Sequence, residues 1–339
     1  MSAGNARRAD ARPADVNRDV HIGIDLGGTK LFAAIATLDG TLEQETYVAH
    51  AADALRPQGS AGHAAGAREP ASERASERAG ERAGESGAVF TALIATARTL
   101  IAGAAAAGHK VRGVATGAPS IIADGGVVVS APPLGWRGFP LQARMQELLA
   151  LPVRVDNDVN LAALGEMRFG AGRGARSAVV IAIGTGIGGA VIIDGRLHRG
   201  RHGAAGEIGG LIPGRDFLSW RNPEWGALES LASGSGIAAR AAPHATRAED
   251  VFAAAAAGEP WAKAIVDETI DHLAVAVASA QALLDPDVII LSGGIATHAA
   301  TLIPAIEHRL AGALPNAPRL VKSELGYRAG VLGAAALFE

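Results

Sequence analysis

The sequence predicts a two-lobed α/β protein with mixed sheets flanked by helices. Three observations carry that expectation. The chain has 339 residues, more than one small core accommodates. Strand-like and helix-like segments alternate through both halves. A glycine-rich turn between two strand-like runs occurs once in each half, at Asp25–Lys30 and Gly184–Gly189.

In order along the chain, residues 1–19 are polar, mixed in charge and without the apolar stretch of a secretory signal, and read as a disordered leader. Val20–Asp25 is a β-branched strand, the first glycine turn follows, and Leu31–Leu38 is a second strand. The tight-turn pair Asp39-Gly40 leads to a third strand, Thr41–Ala49, so the chain opens as an antiparallel meander. Residues 51–87 turn to Ala, Gly, Ser, Glu and Arg, with Glu73, Glu77, Glu81 and Glu85 alternating with Arg74, Arg78 and Arg82. Such a segment has almost nothing to bury. It reads as a solvated, fraying helix or a disordered insertion, with an interaction tail as the functional alternative.

Helical periodicity covers Ala88–Ala107, and Lys110–Ala115 is a strand. The helix Leu141–Leu149 leads through Pro152 into the strand Val153–Val155. Ser177–Ile183 and Ala190–Ile193 are strands around the second glycine turn. Ile265–Leu284 is a long apolar helix, Val288–Leu291 a buried strand, Leu302–Leu314 a helix and Gly330–Phe338 a short closing helix. The division expected is a lobe at 20–118, a larger lobe at 119–325, and a closing helix at 326–339 that packs back on the first lobe.

Composition narrows the function classes. A formal net charge of −3 offers no basic excess for nucleic acid. The absence of cysteine excludes disulfides, thiolate zinc sites, iron–sulfur clusters and cysteine nucleophiles. Glycines and charges interrupt each apolar run short of a membrane span, so neither membrane nor nucleic acid is expected as a partner, and the cytoplasm is the expected compartment.

Gly184-Thr185-Gly186-Ile187-Gly188-Gly189 spells G-x-G-x-x-G, but a dinucleotide site requires a helix directly after the glycines. Ala190-Val191-Ile192-Ile193 and the Asp194-Gly195 turn follow instead. The unit is strand, glycine turn, strand, as at Asp25-Leu26-Gly27-Gly28-Thr29-Lys30. Turns lacking Cβ let N–H groups converge on an anion, with Thr29 and Thr185 as hydroxyl donors. Asp25 beside phosphates makes sense with Mg²⁺ that retains its waters. The bland alternative is two ordinary hairpins. Gly293-Gly294, after the strand Val288–Ser292, is a third glycine crevice, suited to adenosine or simply to a tight helix entry.

The strand Val153–Val155 ends in Asp156-Asn157-Asp158-Val159-Asn160, a polar cluster that suits a cleft better than a core. Phosphoryl transfer to an alcohol needs a carboxylate to accept the hydroxyl proton, and Asp158 is the candidate. Either Asp156 or Asn157 is expected to cap the helix that runs on through Glu166.

Taken together, Asp25–Lys30, Ala115–Pro119, Asp156–Glu166, Gly184–Gly189, Ala204–Gly209, Leu228–Gly234 and Leu291–Gly294 resemble, in order and spacing, the ROK family of sugar kinases. The likeness runs from Val20 to the end, apart from the insertion. It implies an actin-like ATPase (ribonuclease H-like) fold, ATP with Mg²⁺, a small-molecule sugar substrate and a homodimer. ROK regulators add an N-terminal helix-turn-helix, which is not expected here ahead of Val20. The resemblance implies Asp158 as catalytic base and Asn157, Glu207 and Glu229 as sugar ligands. It implies phosphate binding by Asp25, Gly27, Gly28, Thr29 and Lys30 and by Gly184, Thr185, Gly186 and Gly188, with Gly293 and Gly294 beside the nucleotide. As a plainer alternative, Glu207 and Glu229 are surface carboxylates.

The sequence also departs from the family. Gly210 stands where the E-x-G-H motif has His, and Pro213–Ala227 holds no cysteine, so no zinc site is expected. Phe217, Trp220 and Trp225 are expected to form an apolar cluster that orders the loop in the metal's stead. His198 and His202 lack a matching ligand set and read as solvated or hydrogen-bonding. Pro132-Pro133 replaces a common Pro-Asn. The expected activity is phosphorylation of the 6-hydroxyl of glucose or a close relative. N-acetylhexosamine, mannose and fructose are the alternative acceptors, and a non-catalytic sugar or nucleotide sensor is the alternative of another class.

Overall fold

The computed structural model describes residues 18–28, 30–49, 71–219 and 226–338, and of 71–86 the backbone alone. Residues 1–17 of the expected leader, Thr29, residues 51–70, Trp220 and Trp225 lie outside the described residues.

The first half opens with β1 (Asp19–Leu26), β2 (Lys30–Thr37) and β3 (Leu42–Ala49), an antiparallel meander. Next come α1 (Ala71–Ala106) and β4 (Lys110–Ala118), which pairs in parallel with β1. A small three-stranded sheet follows, β5 (Ile122–Ala123), β6 (Val127–Ala131) and β7 (Trp136–Phe139). Then α2 (Leu141–Leu149) leads to β8 (Val153–Asn157), parallel to β4, and α3 (Asp158–Phe169) follows at once.

The second half repeats the plan. Strands β9 (Ala178–Ile183), β10 (Ile187–Ile193) and β11 (Arg196–Leu197) are antiparallel. Four helices follow, α4 (Ala227–Ala232), α5 (Gly234–Ala241), α6 (Ala248–Ala256) and α7 (Pro260–Leu284). Then β12 (Val288–Ser292), α8 (Ala299–Leu310), β13 (Leu320–Lys322) and α9 (Ala329–Ala336) complete the described chain. Both large sheets share one strand order, β3-β2-β1-β4-β8 and β11-β10-β9-β12-β13. Each glycine turn therefore joins the first two strands of its sheet. Strand β8, which a division at residue 119 places with the second lobe, pairs within the first sheet.

Burial explains the local choices. Central strands β1 and β2 are covered on both faces and read as near-continuous apolar runs. Strand β3 lies at the sheet edge and has no buried residue. Helix α1 presents Val89, Leu93, Ala97, Leu100 and Ala104 to the first sheet. Its segment Gly87–Ala106 does reach the length and composition of a membrane span, contrary to the expectation that no run would, but its buried face belongs to this core. The backbone of residues 71–86 continues the same helix. Helix α7 begins five residues before the apolar run suggests, because Pro260 takes the first turn.

Helix α3 lies between the sheets, with Ala163 packed against Val180 and Ile290 of the second. Helix α9 crosses it backbone to backbone. A Cβ on Gly165 would overlap the carbonyl oxygen of Ala329, and one on Gly333 would overlap that of Leu161. Near the far end of α3 the buried Glu166 accepts hydrogen bonds from Ser323 Oγ (2.5 Å) and the N–H groups of Ala171 (2.8 Å), Glu324 (3.2 Å) and Leu325 (2.9 Å). A carboxylate this well satisfied fastens the segment that leads into α9.

Candidate active site

The first glycine turn is closed by the Gly27 N–H donating to Lys30 O at 2.9 Å. A Cβ at Gly28 would stand 3.3 Å from that of Pro133, so the Pro132-Pro133 pair lies against this turn. Asp25 lies one residue before the end of β1 with its carboxyl over α9, where a Cβ on Gly330 already comes within 3.3 Å of Asp25 Cγ. Burial pushes the Asp25 carboxyl up to about 7, the charge of Asp158 adds to the rise, and Lys30 opposes it.

The second turn is closed by Gly184 N–H on Gly186 O at 2.9 Å. Its carbonyls face α5, with Gly234 N–H donating to Gly184 O (2.7 Å) and Ser235 N–H to Thr185 O (3.2 Å). Glu229 Oε2 accepts from Ile187 N–H at 2.7 Å, which buttresses the turn from α4. These bonds leave the Thr185 and Gly186 N–H groups without an acceptor among the described residues. A Cβ on Gly188 would press on Val159 Cγ2 at 2.8 Å, so this turn sits against the first turn of α3. No helix follows the glycines, and β10 does, which disposes of the dinucleotide motif.

Between the turns lies the polar cluster. Asn157 is the N-cap of α3, its Oδ1 accepting from Val159 N–H (2.9 Å) and Asn160 N–H (3.2 Å). Its Nδ2 donates to Ser120 O at 3.2 Å, which leaves one amide hydrogen for a ligand. Asp156 is buried and makes no cap. Its Oδ1 takes Asn157 N–H (2.8 Å) and Asn160 Nδ2 (2.7 Å), while Arg199 Nε donates to Oδ2 at 2.8 Å. Asp158 rests on Gly117, where a Cβ would stand 3.0 Å from Asp158 Cα. Burial raises the Asp158 carboxyl, against the lowering by the N–H groups of Val159 and of Asp158 itself.

Glu207 directly precedes a 3-10 turn, Ile208–Gly210, without capping it, in a loop laid along β10, where Gly206 at φ +94° lies against Gly189. Glu207 is exposed as a residue, yet its carboxyl is raised, by burial first and then by the charges of Asp158 and Glu229. Burial raises Glu229 as well, opposed by the Ile187 N–H bond. Four carboxylates, Asp25, Asp158, Glu207 and Glu229, thus belong to one electrostatic neighbourhood. Gly210, where the family has His, is exposed and faces open space. Gly293 takes φ +85° and lies against the Ile183 backbone, beside the second turn, while Gly294 faces open space.

His198 and His202 are exposed, and no three His, Asp or Glu side chains converge as a metal cage among the described residues. Phe217 is half-buried and meets the His272 ring edge-on at 6.1 Å. Sequence reasoning missed Arg199, whose partner lies 43 residues away and has no local signature.

Residues 74–339 match the ROK family. A glucokinase of Halalkalibacterium halodurans is 38% identical over 245 residues, 65% of this chain and 74% of that one. An N-acetyl-D-glucosamine kinase of Yersinia pseudotuberculosis is 32% identical over 231 residues, 63% of this chain and 76% of its own. The structure of a ROK family glucokinase from Streptomyces griseus, in complex with glucose and AMPPNP, superposes with a TM-score of 0.69 at 27% identity, covering 94% of this chain and 98% of that one. The fold is the two-lobed actin-like ATPase fold expected from the sequence. By a match that spans most of its length and by relatives of this similarity, the chain belongs to the ROK family.

Proposed function

We propose that this protein transfers the γ-phosphoryl group of ATP to a hydroxyl of a hexose, with Asp158 accepting the hydroxyl proton. One observation carries the reading: two glycine turns, one from each sheet, stand on either side of a half-buried carboxylate at the N-terminus of α3. Asp158 orients the attacking hydroxyl, and its raised proton affinity suits a base that takes the proton as the bond to phosphorus forms.

The residues present fit the nucleotide. The unused Thr185 and Gly186 N–H groups suit phosphate oxygens; Gly184 and Gly188 in the same turn and Gly27, Gly28, Thr29 and Lys30 in the first would stand beside them, the Gly184 and Gly27 N–H groups closing the turns. The open face at Gly294, with Gly293 behind it, suits the adenosine. Asp25, whose carboxyl is raised by burial and by the Asp158 charge, would hold Mg²⁺ through water, and the ion would neutralise phosphate charge there. Glu207, the free oxygen of Glu229 and the remaining Asn157 hydrogen would receive the sugar hydroxyls. The division in this reading is 20–118 with the closing segment 326–339, and 119–325, except that β8 and α3 stay with the first body, to whose sheet and α9 they are joined. Closure excludes water that would otherwise attack ATP.

Glucose is the first acceptor in this reading. The open space at Gly210 favours a second, an N-acetylhexosamine, because a missing side chain leaves room for an acyl substituent. The test is ADP release over a panel of glucose, mannose, fructose and N-acetylhexosamines. Sugar-dependent turnover supports the kinase. Nucleotide binding without turnover on any sugar would overturn it in favour of a sensor.

A further inference from the structure

We propose that Arg199 is a positioning residue for phosphoryl transfer, tying the sugar-binding loop to the strand end that carries Asp158. The proposal rests on the kinase reading and adds to it a residue outside the reacting groups.

The geometry is specific. Asp156 has only 5% of its side chain exposed, at the end of β8 in the first sheet. Its Oδ1 accepts the Asn157 backbone N–H just before Asp158 and the side-chain amide Nδ2 of Asn160 two residues after it. That leaves Oδ2 for Arg199, which approaches with both Nε (2.8 Å) and Nη2 (2.5 Å). Arg199 follows β11 of the second sheet, and its carbonyl accepts Ala205 N–H at 3.1 Å. That bond closes the loop whose next turn presents Glu207. One ion pair therefore joins elements of the two sheets that carry the base and a sugar ligand.

Stability is a poor account of this pair. Arg199 has 47% of its side chain exposed, which weakens the pair, and the 5% exposed Asp156 keeps its two Oδ1 hydrogen bonds without it. Positioning is a better one, since a displacement of about 1 Å at the reacting atoms costs on the order of 100-fold in rate. The paired charges set the Glu207 loop and Asp158 in one register before the sugar arrives.

The experiment is steady-state ADP release with the full chain, comparing wild type, Arg199→Ala, Arg199→Lys, Asp156→Asn and the Asp156→Asn/Arg199→Ala double variant, with melting followed by circular dichroism. The expectation for Arg199→Ala is a kcat lower by about 10- to 100-fold, a sugar KM raised several-fold and an ATP KM unchanged. Arg199→Lys, which keeps the charge and loses the fork, should recover part of the loss. The double variant should lose no more than the worse single one, because both remove the same contact. Losses that multiply, an Arg199→Ala enzyme of wild-type kcat, or equal effects on ATP and sugar KM would each overturn the proposal. If Arg199→Ala does not fold, the Lys variant carries the same test. Absent turnover in the wild type would refute the kinase reading, and calorimetric sugar affinity then decides the role of Arg199. Equal affinity in wild type and Arg199→Ala would overturn it.

Discussion

Asp25 is a carboxylate that burial raises, and Asp25→Asn exposes what that costs the protein. The carboxyl rises from 3.8 to about 7 because burial and the Asp158 charge outweigh Lys30. A folded-state value above the unfolded one means that the native protein binds the extra proton between about pH 4 and 7. Stability from this group is intact below pH 4 and is lost as pH rises through 7. A shift of this size corresponds to a ceiling of about 4 kcal/mol. Part of the Asp25 side chain remains open to the cleft, so a gain of about 2–4 kcal/mol is expected from the neutral amide at pH 8. Differential scanning fluorimetry without ligand should show Asp25→Asn melting about 3–6 °C above wild type at pH 8, with the advantage shrinking as pH falls to 4. Adding Mg²⁺ with a non-hydrolysable ATP analogue should stabilise wild type more than the variant. An advantage independent of pH, or a variant less stable at pH 8, would refute the account of Asp25 as an uncompensated carboxylate.

Asp158→Asn should lower kcat by at least about 100-fold while nucleotide affinity, measured by calorimetry, stays within about threefold. Glu229→Gln keeps an acceptor for the Ile187 N–H, so the ATP KM should hold and the sugar KM should rise; Glu229→Ala should raise both, as steady-state kinetics will show. Gly333→Ala places a methyl on the Leu161 carbonyl, and a loss of about 3 kcal/mol or more in urea titration is expected, with Gly330→Ala milder because its neighbours stand 3.3–3.5 Å away.

Much of the fold was legible because it is written in local periodicity. The strand–glycine–strand units at Asp25–Lys30 and Gly184–Gly189 were visible, since glycine, β-branched residues and tight turns leave short-range signatures. The small sheet of β5 to β7 was not, because its strands are short and its register depends on packing with α2 and β8. Helices α4 to α6 were missed for a related reason: they are short, rich in alanine and glycine, and buried by neighbours more than by pattern. In the site, Asp158 was named from its strand-end position. Asp156 and Asn157 are equal candidates for the cap in sequence; Asn157 takes it, and Asp156 pairs instead with Arg199, across a separation no sequence window contains. The bond from Glu229 to the second turn spans 42 residues and was equally invisible.

The crossing of α3 and α9 has a consequence for how two distant aspartates keep their spacing. Side chains between helices act as cushions, and a change of rotamer lets one helix slide on the other. Where backbones touch at Gly165 and Gly333 there is no cushion, so the pair moves as a single solid piece. Asp158 stands at one end of that piece, and Asp25 leans on it at Gly330. The separation of the two carboxylates is thus machined into main-chain contacts, as in a gauge block, and survives movement of the loops around it.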